Sequence, residues 1–148
     1  MTSARLSAAI AVLRIARQLN ARLPTTHPDY IAYHGADPED TGLGRLRNPD
    51  LMVFPEATLT GEQSAVLPHE VLLVVEVVSK SNPENDYRDK VHDYAATGIP
   101  FHLIIDPRTG TGVVHDEPGC TDRARFVFGD KVAVGPCTID TSGLLTYA

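Results

Sequence analysis

The run Val71-Leu72-Leu73-Val74-Val75-Glu76-Val77-Val78 constrains this chain more than any other stretch. It is apolar and mostly β-branched apart from one residue, so it reads as a strand covered on both faces. A fold that contains it must therefore place a layer on each side of a sheet. Glu76 interrupts the run. An ionised carboxylate there is costly unless it is paired, hydrogen-bonded or bound to a cation. Glu76 is thus either the partner of a buried cation or a site of chemistry.

The next thirty residues are equally patterned. Ser81-Asn82-Pro83-Glu84 has the spacing of a capping box, with proline in the first turn where its missing N–H does no harm. Tyr87, Val91, Tyr94 and Ala95 form one apolar stripe, Gly98 is placed as a C-terminal stop, and Pro100 lies shortly beyond. Phe101-His102-Leu103-Ile104-Ile105-Asp106 is a second apolar strand, closed by the turn Asp106-Pro107-Arg108-Thr109-Gly110. Strand, helix and strand with short joints make a βαβ unit, which predicts parallel strands and a right-handed crossover.

Ahead of this unit, apolar residues at helical spacing predict a helix from about Ser3 to Leu23, ended by Pro24. Its broad apolar coverage suits packing on a sheet, with Arg14 and Arg17 on a solvated polar face. Tyr30 to His34 reads as a short extended piece, and Gly35 to Asn48 as a loop. Pro49 to Pro55 is a short strand bounded by prolines, and Glu56 to His69 another loop. Beyond the unit, Gly112–His115, Arg125–Phe128 and Lys131–Val134 alternate with glycine turns and suggest antiparallel edge strands. The whole, residues 1–148, reads as a single domain of mixed α/β class.

Composition removes several function classes. A net charge of −6 argues against a protein that coats nucleic acid. It does not exclude a metal-dependent enzyme that touches nucleic acid locally. No apolar stretch approaches the roughly 20 residues that span a bilayer, and the arginine-broken start lacks the layout of a secretory signal. Cys120 and Cys137 are widely separated, as free thiols in a cytoplasmic protein would be. There is no glycine-rich phosphate loop and no Gly-x-Ser-x-Gly elbow around Ser79. The six histidines, His102 among them, make no metal-type pair on a helix.

Three features converge instead. Asp50 opens a strand just after Pro49, Glu76 lies inside the central strand, and Asp86 and Lys90 are one helical turn apart on the helix beyond it. Two carboxylates on neighbouring strands suit a hard divalent ion such as Mg²⁺ or Mn²⁺, which prefers oxygen ligands. A lysine nearby can stabilise developing negative charge or position a water. That combination serves phosphodiester hydrolysis.

The ordered set Pro49-Asp50, Glu76-Val77-Val78-Ser79, Asp86-x-x-x-Lys90-x-x-x-Tyr94-x-x-x-Gly98-Ile99-Pro100 and Leu103-Ile104-Ile105-Asp106-Pro107 resembles the Uma-type family of restriction endonucleases, a branch of the PD-(D/E)XK nucleases. The resemblance covers roughly Pro49 to Asp116. It implies a restriction-endonuclease-like core of helix, three-strand meander, helix and strand, here with extra C-terminal β-strands. The meander would be Tyr30–His34, Leu51–Phe54 and Val71–Val78. It further implies a Mg²⁺-dependent (or Mn²⁺-dependent) endonuclease acting on DNA, with Asp50 and Glu76 as metal ligands. The superfamily's lysine stands two residues after the second acid, a position held here by Val78. Lys90 is the expected substitute, and Lys80, which shares strand parity with Glu76, the second candidate. Such proteins resemble one another in an acidic residue ahead of the first helix, whereas no acid precedes Asp29 in this chain. The alternative is an inactive nuclease-fold relative that serves as a binding or oligomerising module. A homodimer fits either reading.

Overall fold

The computed structural model describes residues 4–34, 49–60, 66, 68–80, 98–116 and 122–147. A long helix, α1 (Ala4–Thr26), leads into β1 (Tyr30–Tyr33) and β2 (Leu51–Pro55). A short helix, α2 (Ala57–Thr60), and a 3₁₀ turn (Pro68–Glu70) precede β3 (Leu73–Val77). The chain continues with β4 (Phe101–Asp106), β5 (Thr111–Asp116), β6 (Asp122–Val127), β7 (Lys131–Val134) and β8 (Cys137–Asp140). Strands β1 to β6 form one sheet in chain order, and β7 with β8 forms a separate hairpin.

The order of pairing follows from the joints. Strands β1, β2 and β3 are successive antiparallel neighbours, the expected meander. Strand β4 then lies parallel to β3, with Leu73 opposite Phe101 and Val77 opposite Ile105. Bonds from Phe101 N–H to the Leu72 carbonyl (3.2 Å) and from Val78 N–H to the Ile105 carbonyl (2.8 Å) extend this pairing at both ends. The helix expected between these strands, with Asp86 and Lys90, lies outside the described residues. Strands β5 and β6 add antiparallel turns to the same sheet.

Alternation along the strands gives the sheet two unlike faces. Leu51, Val53, Val75, Val77, Leu103, Ile105, Val114 and Phe126 point to one side. There they pack against Ile15, Leu19 and Leu23 of α1 and against Val132, Val134 and Ile139 of the hairpin. On the other side Met52, Phe54 and Val74 join Val66, Val71 and Ile99 in a smaller cluster. Beyond that cluster the second face mixes buried polar groups with the fully buried Ile104. It carries Glu76, His102 and Asp106, each with 2% or less of its surface exposed.

Three departures from the sequence expectations have physical causes. Helix α1 runs through Pro24 to Thr26. A proline near the end of a helix loses one main-chain bond and crowds the carbonyl four residues earlier, and here the helix continues past it, with His27 N–H reaching the Leu23 carbonyl (2.6 Å). Leu6 and Leu13 are exposed, so the helix buries one stripe, narrower than its composition suggests. The segment after Pro55, expected as plain loop, holds α2 and the 3₁₀ turn.

Helix α1 is stitched to β1 and to the second half of the chain by side-chain bonds to backbone. Gln18 Nε2 donates to the Asp140 carbonyl (2.8 Å), and Asp140 N–H donates to Gln18 Oε1 (2.6 Å). Asn20 does the same for both backbone groups of Ala32 in β1 (3.0 and 2.8 Å). Ser142 N–H bonds the Asp140 carboxylate, which holds that carboxyl below its usual range. Burial pushes the Cys137 thiol up.

Gly112 sits where β5 crosses the α1-facing core. A Cβ there would fall 2.5 Å from the Ile104 carbonyl oxygen and inside the space of the Phe126 ring. Gly112→Ala should therefore cost about 1–3 kcal/mol through overpacking. Urea denaturation is expected to show a lower midpoint with an unchanged slope, and an unchanged midpoint would refute the assignment.

Candidate active site

Strand β3 delivers Glu76 by alternation. Its neighbours Val75 and Val77 point into the α1 side, so Glu76 points the other way, and it is fully buried. Strand β2 delivers Asp50 by register. Leu51 is opposite Val75 and Met52 opposite Val74, so one further step along the same register sets Asp50 opposite Glu76. Residues opposite one another in an antiparallel pair share a face, with Cβ atoms about 5 Å apart.

A hydrogen bond fixes this step. Beyond the last paired residues of β2, Val77 N–H donates to a side chain, Asp50 Oδ2, at 2.7 Å. The carboxylate thus completes the pairing of β2 with β3 and is oriented by doing so. Asp50 is half-buried and Glu76 enclosed, so the pair lies at the end of the sheet rather than deep within it.

The remaining candidates are placed less tightly. Strand β3 stops at Val77, and Lys80 lies in an exposed bend, so strand alternation does not carry its side chain to the face of Glu76. Val78, two residues after Glu76, is completely buried. Lys90 and Asp86 lie outside the described residues. The C-terminal segment closes over this end of β3 and β4. Tyr147 donates its hydroxyl to the Val78 carbonyl (2.6 Å) and its N–H to the Pro107 carbonyl (2.9 Å).

Sequence reasoning names His102 and Asp106 singly but does not bring the rest of the polar face together. His102 and His115 are opposite each other on β4 and β5, and their buried rings stack with centroids 5.8 Å apart. Asp106, at the end of β4, is held by Arg108 through two bonds of 2.9 and 2.8 Å and caps the turn at Arg108 N–H (3.1 Å). A cleft of about 740 Å³ opens here, lined by Asp106, Arg108, His115, Arg125 and Asp130 among others. The strand-ending Asp106-Pro107-Arg108 is the one available signal, since an Asp two residues before an Arg in a turn favours such a pair. The histidine stack needs the register of β4 and β5, which no local pattern encodes.

Among the described residues no group of three or more His, Cys, Asp or Glu side chains converges as a metal cluster. Two carboxylates on one face do match a hard ion that keeps several waters. Among those residues, too, no helix is long and apolar enough to cross a membrane.

The six-stranded mixed sheet with α1 packed on one face is a fold this chain shares with a solved structure. The structure of a protein described as a putative nuclease belonging to DUF820, from Anabaena variabilis, superposes with a TM-score of 0.67. The match covers 93% of this chain and 79% of that one, at 13% identity. No functionally curated protein matches. Residues 1–138 match the Uma2 family, described as putative restriction endonuclease, and the chain belongs to that family.

The Asp50–Val77 bond has a measurable structural role. Asp50→Ala leaves a backbone N–H without its acceptor, which should cost about 1–3 kcal/mol. Asp50→Asn keeps an oxygen in place and should cost less than half as much. Thermal or urea unfolding of the two variants checks this, and equal stability of all three proteins would show that the bond holds nothing.

Proposed function

We propose that the protein is a divalent-metal-dependent deoxyribonuclease that hydrolyses phosphodiester bonds, with Asp50 and Glu76 as the ligands of Mg²⁺ or Mn²⁺. The observation that carries this reading is the bond from Val77 N–H to Asp50 Oδ2, with the register that sets Asp50 beside the enclosed Glu76. A backbone donor on one carboxylate oxygen orients the other towards an ion, as outer partners of metal ligands commonly do. Membership of a family described as restriction endonucleases supports DNA as substrate.

A bound divalent ion supplies polarisation of the phosphoryl oxygen and activation of water. The chain's own residues have simpler tasks. Asp50 and Glu76 hold negative charge on one face of the sheet and would hold the ion through their carboxylate oxygens, the donor type such a hard cation prefers. Lys90 is assigned to the scissile phosphate, where an ammonium stabilises the charge that develops, and Lys80 is the second candidate. Burial of Glu76 keeps bulk water from one side, which strengthens each of these interactions.

A second reading has a specific observation behind it. The position of the usual lysine is filled by Val78, a fully buried core residue. A chain so altered could persist as a binding or homodimerising module without cleavage. Titration calorimetry with Mn²⁺ separates the two, because an inactive site gives no heat that depends on Asp50 and Glu76.

The direct test is cleavage of plasmid DNA in Mg²⁺ or Mn²⁺. Wild type should nick or linearise the plasmid, chelation should stop it, and Glu76→Ala should reduce the rate by roughly 100-fold or more. Absence of cleavage by wild type, or equal cleavage by Glu76→Ala, refutes the reading.

A further inference from the structure

Tyr33 ends β1 opposite Met52, which places it on the same face of the sheet as Asp50 and Glu76. It is the diagonal neighbour of Asp50, a separation of about 7–8 Å between backbone positions. The side chain is 38% exposed, yet it is held from two sides. The buried ring of Phe54 meets it edge-on, with centroids 6.2 Å apart and planes at 75°. The ring of His34, itself exposed, lies against it nearly parallel, at 6.0 Å and 16°. Two stacked, solvent-facing rings thus end β1, with Tyr33 on the sheet face that also carries Asp50 and Glu76.

Such a surface matches one chemical partner well. Every nucleobase has a π-face, so stacking on aromatic rings is tolerant of sequence. Within a duplex both faces of a base are already taken by its neighbours, so a stacking site of this kind admits a base only after it has left the helix or from a single strand. We infer that Tyr33 and His34 form a stacking platform for an unpaired nucleobase of single-stranded DNA, next to the phosphodiester held at Asp50 and Glu76. The placing of that phosphodiester rests on the nuclease reading. The platform itself rests on the ring geometry.

The chain contains no tryptophan, so Tyr33→Trp introduces a single indole at the platform. Its fluorescence is read during titration with a single-stranded dT oligonucleotide, with Ca²⁺ in place of Mg²⁺. Quenching is expected with the oligonucleotide and much less with an abasic strand of equal length or with duplex. Tyr33→Ala should weaken single-strand binding roughly 5- to 100-fold, while Tyr33→Phe stays within about twofold of wild type. Circular dichroism of each variant checks that the fold is kept. Equal quenching by the abasic strand, or unchanged binding by a folded Tyr33→Ala, overturns the platform. DNA cleavage by wild type together with unaltered Tyr33→Ala binding sinks the platform alone. Base-dependent quenching in a chain that cuts no DNA in Mg²⁺ or Mn²⁺ sinks the nuclease reading and leaves a single-strand binding site.

Discussion

The bond from Val77 N–H to the Asp50 carboxylate decides more than its length suggests. It is made one step beyond the last paired residues of β2, so a side chain takes over a task that backbone performs elsewhere in the sheet. Because the same carboxylate is the one brought opposite Glu76, folding and site geometry share a single contact. Pairing β2 with β3 in this register also brings the two acids to one face. This economy explains how two carboxylates reach one face through a short strand and an otherwise apolar one.

The sheet around that contact divides its labour by strand parity. One face is continuous with α1 and the β7–β8 hairpin and is almost wholly aliphatic. The opposite face carries Asp50, Glu76, His102, Asp106 and His115 in successive strands. Burying acids and imidazoles on a sheet is costly in isolation, and here each lies next to another polar group or at the end of a strand. The aliphatic side supplies the stability against which that cost is set.

Much of this is legible in the sequence, and the reasons differ by element. The β4 bounds, the parallel pairing with β3 and the meander follow from apolar runs and joint lengths, which are strong local signals. Glu76 announces itself as a charge in an apolar run. Strand β8 escapes a sequence reading because Cys137 to Asp140 is short and its alternation covers only four residues. The apolar run overstates the extent of β3, since Val78 keeps a backbone bond to β4 but Lys80 has already turned away. The bond between Asp50 and Val77, the histidine stack and the Tyr33–His34 pair join residues distant in sequence or fixed by a bend, and no periodicity reports them.

The two-faced sheet also bears on how a lineage built on it can diversify. Substitutions at Val75, Leu103 or Ile105 are read by the helix layer, and those at Val74, His102 or Ile104 by whatever occupies the opposite side. New specificities can therefore be explored on one surface while the scaffold is conserved by the other, with neighbouring positions along one strand answering to separate selective pressures.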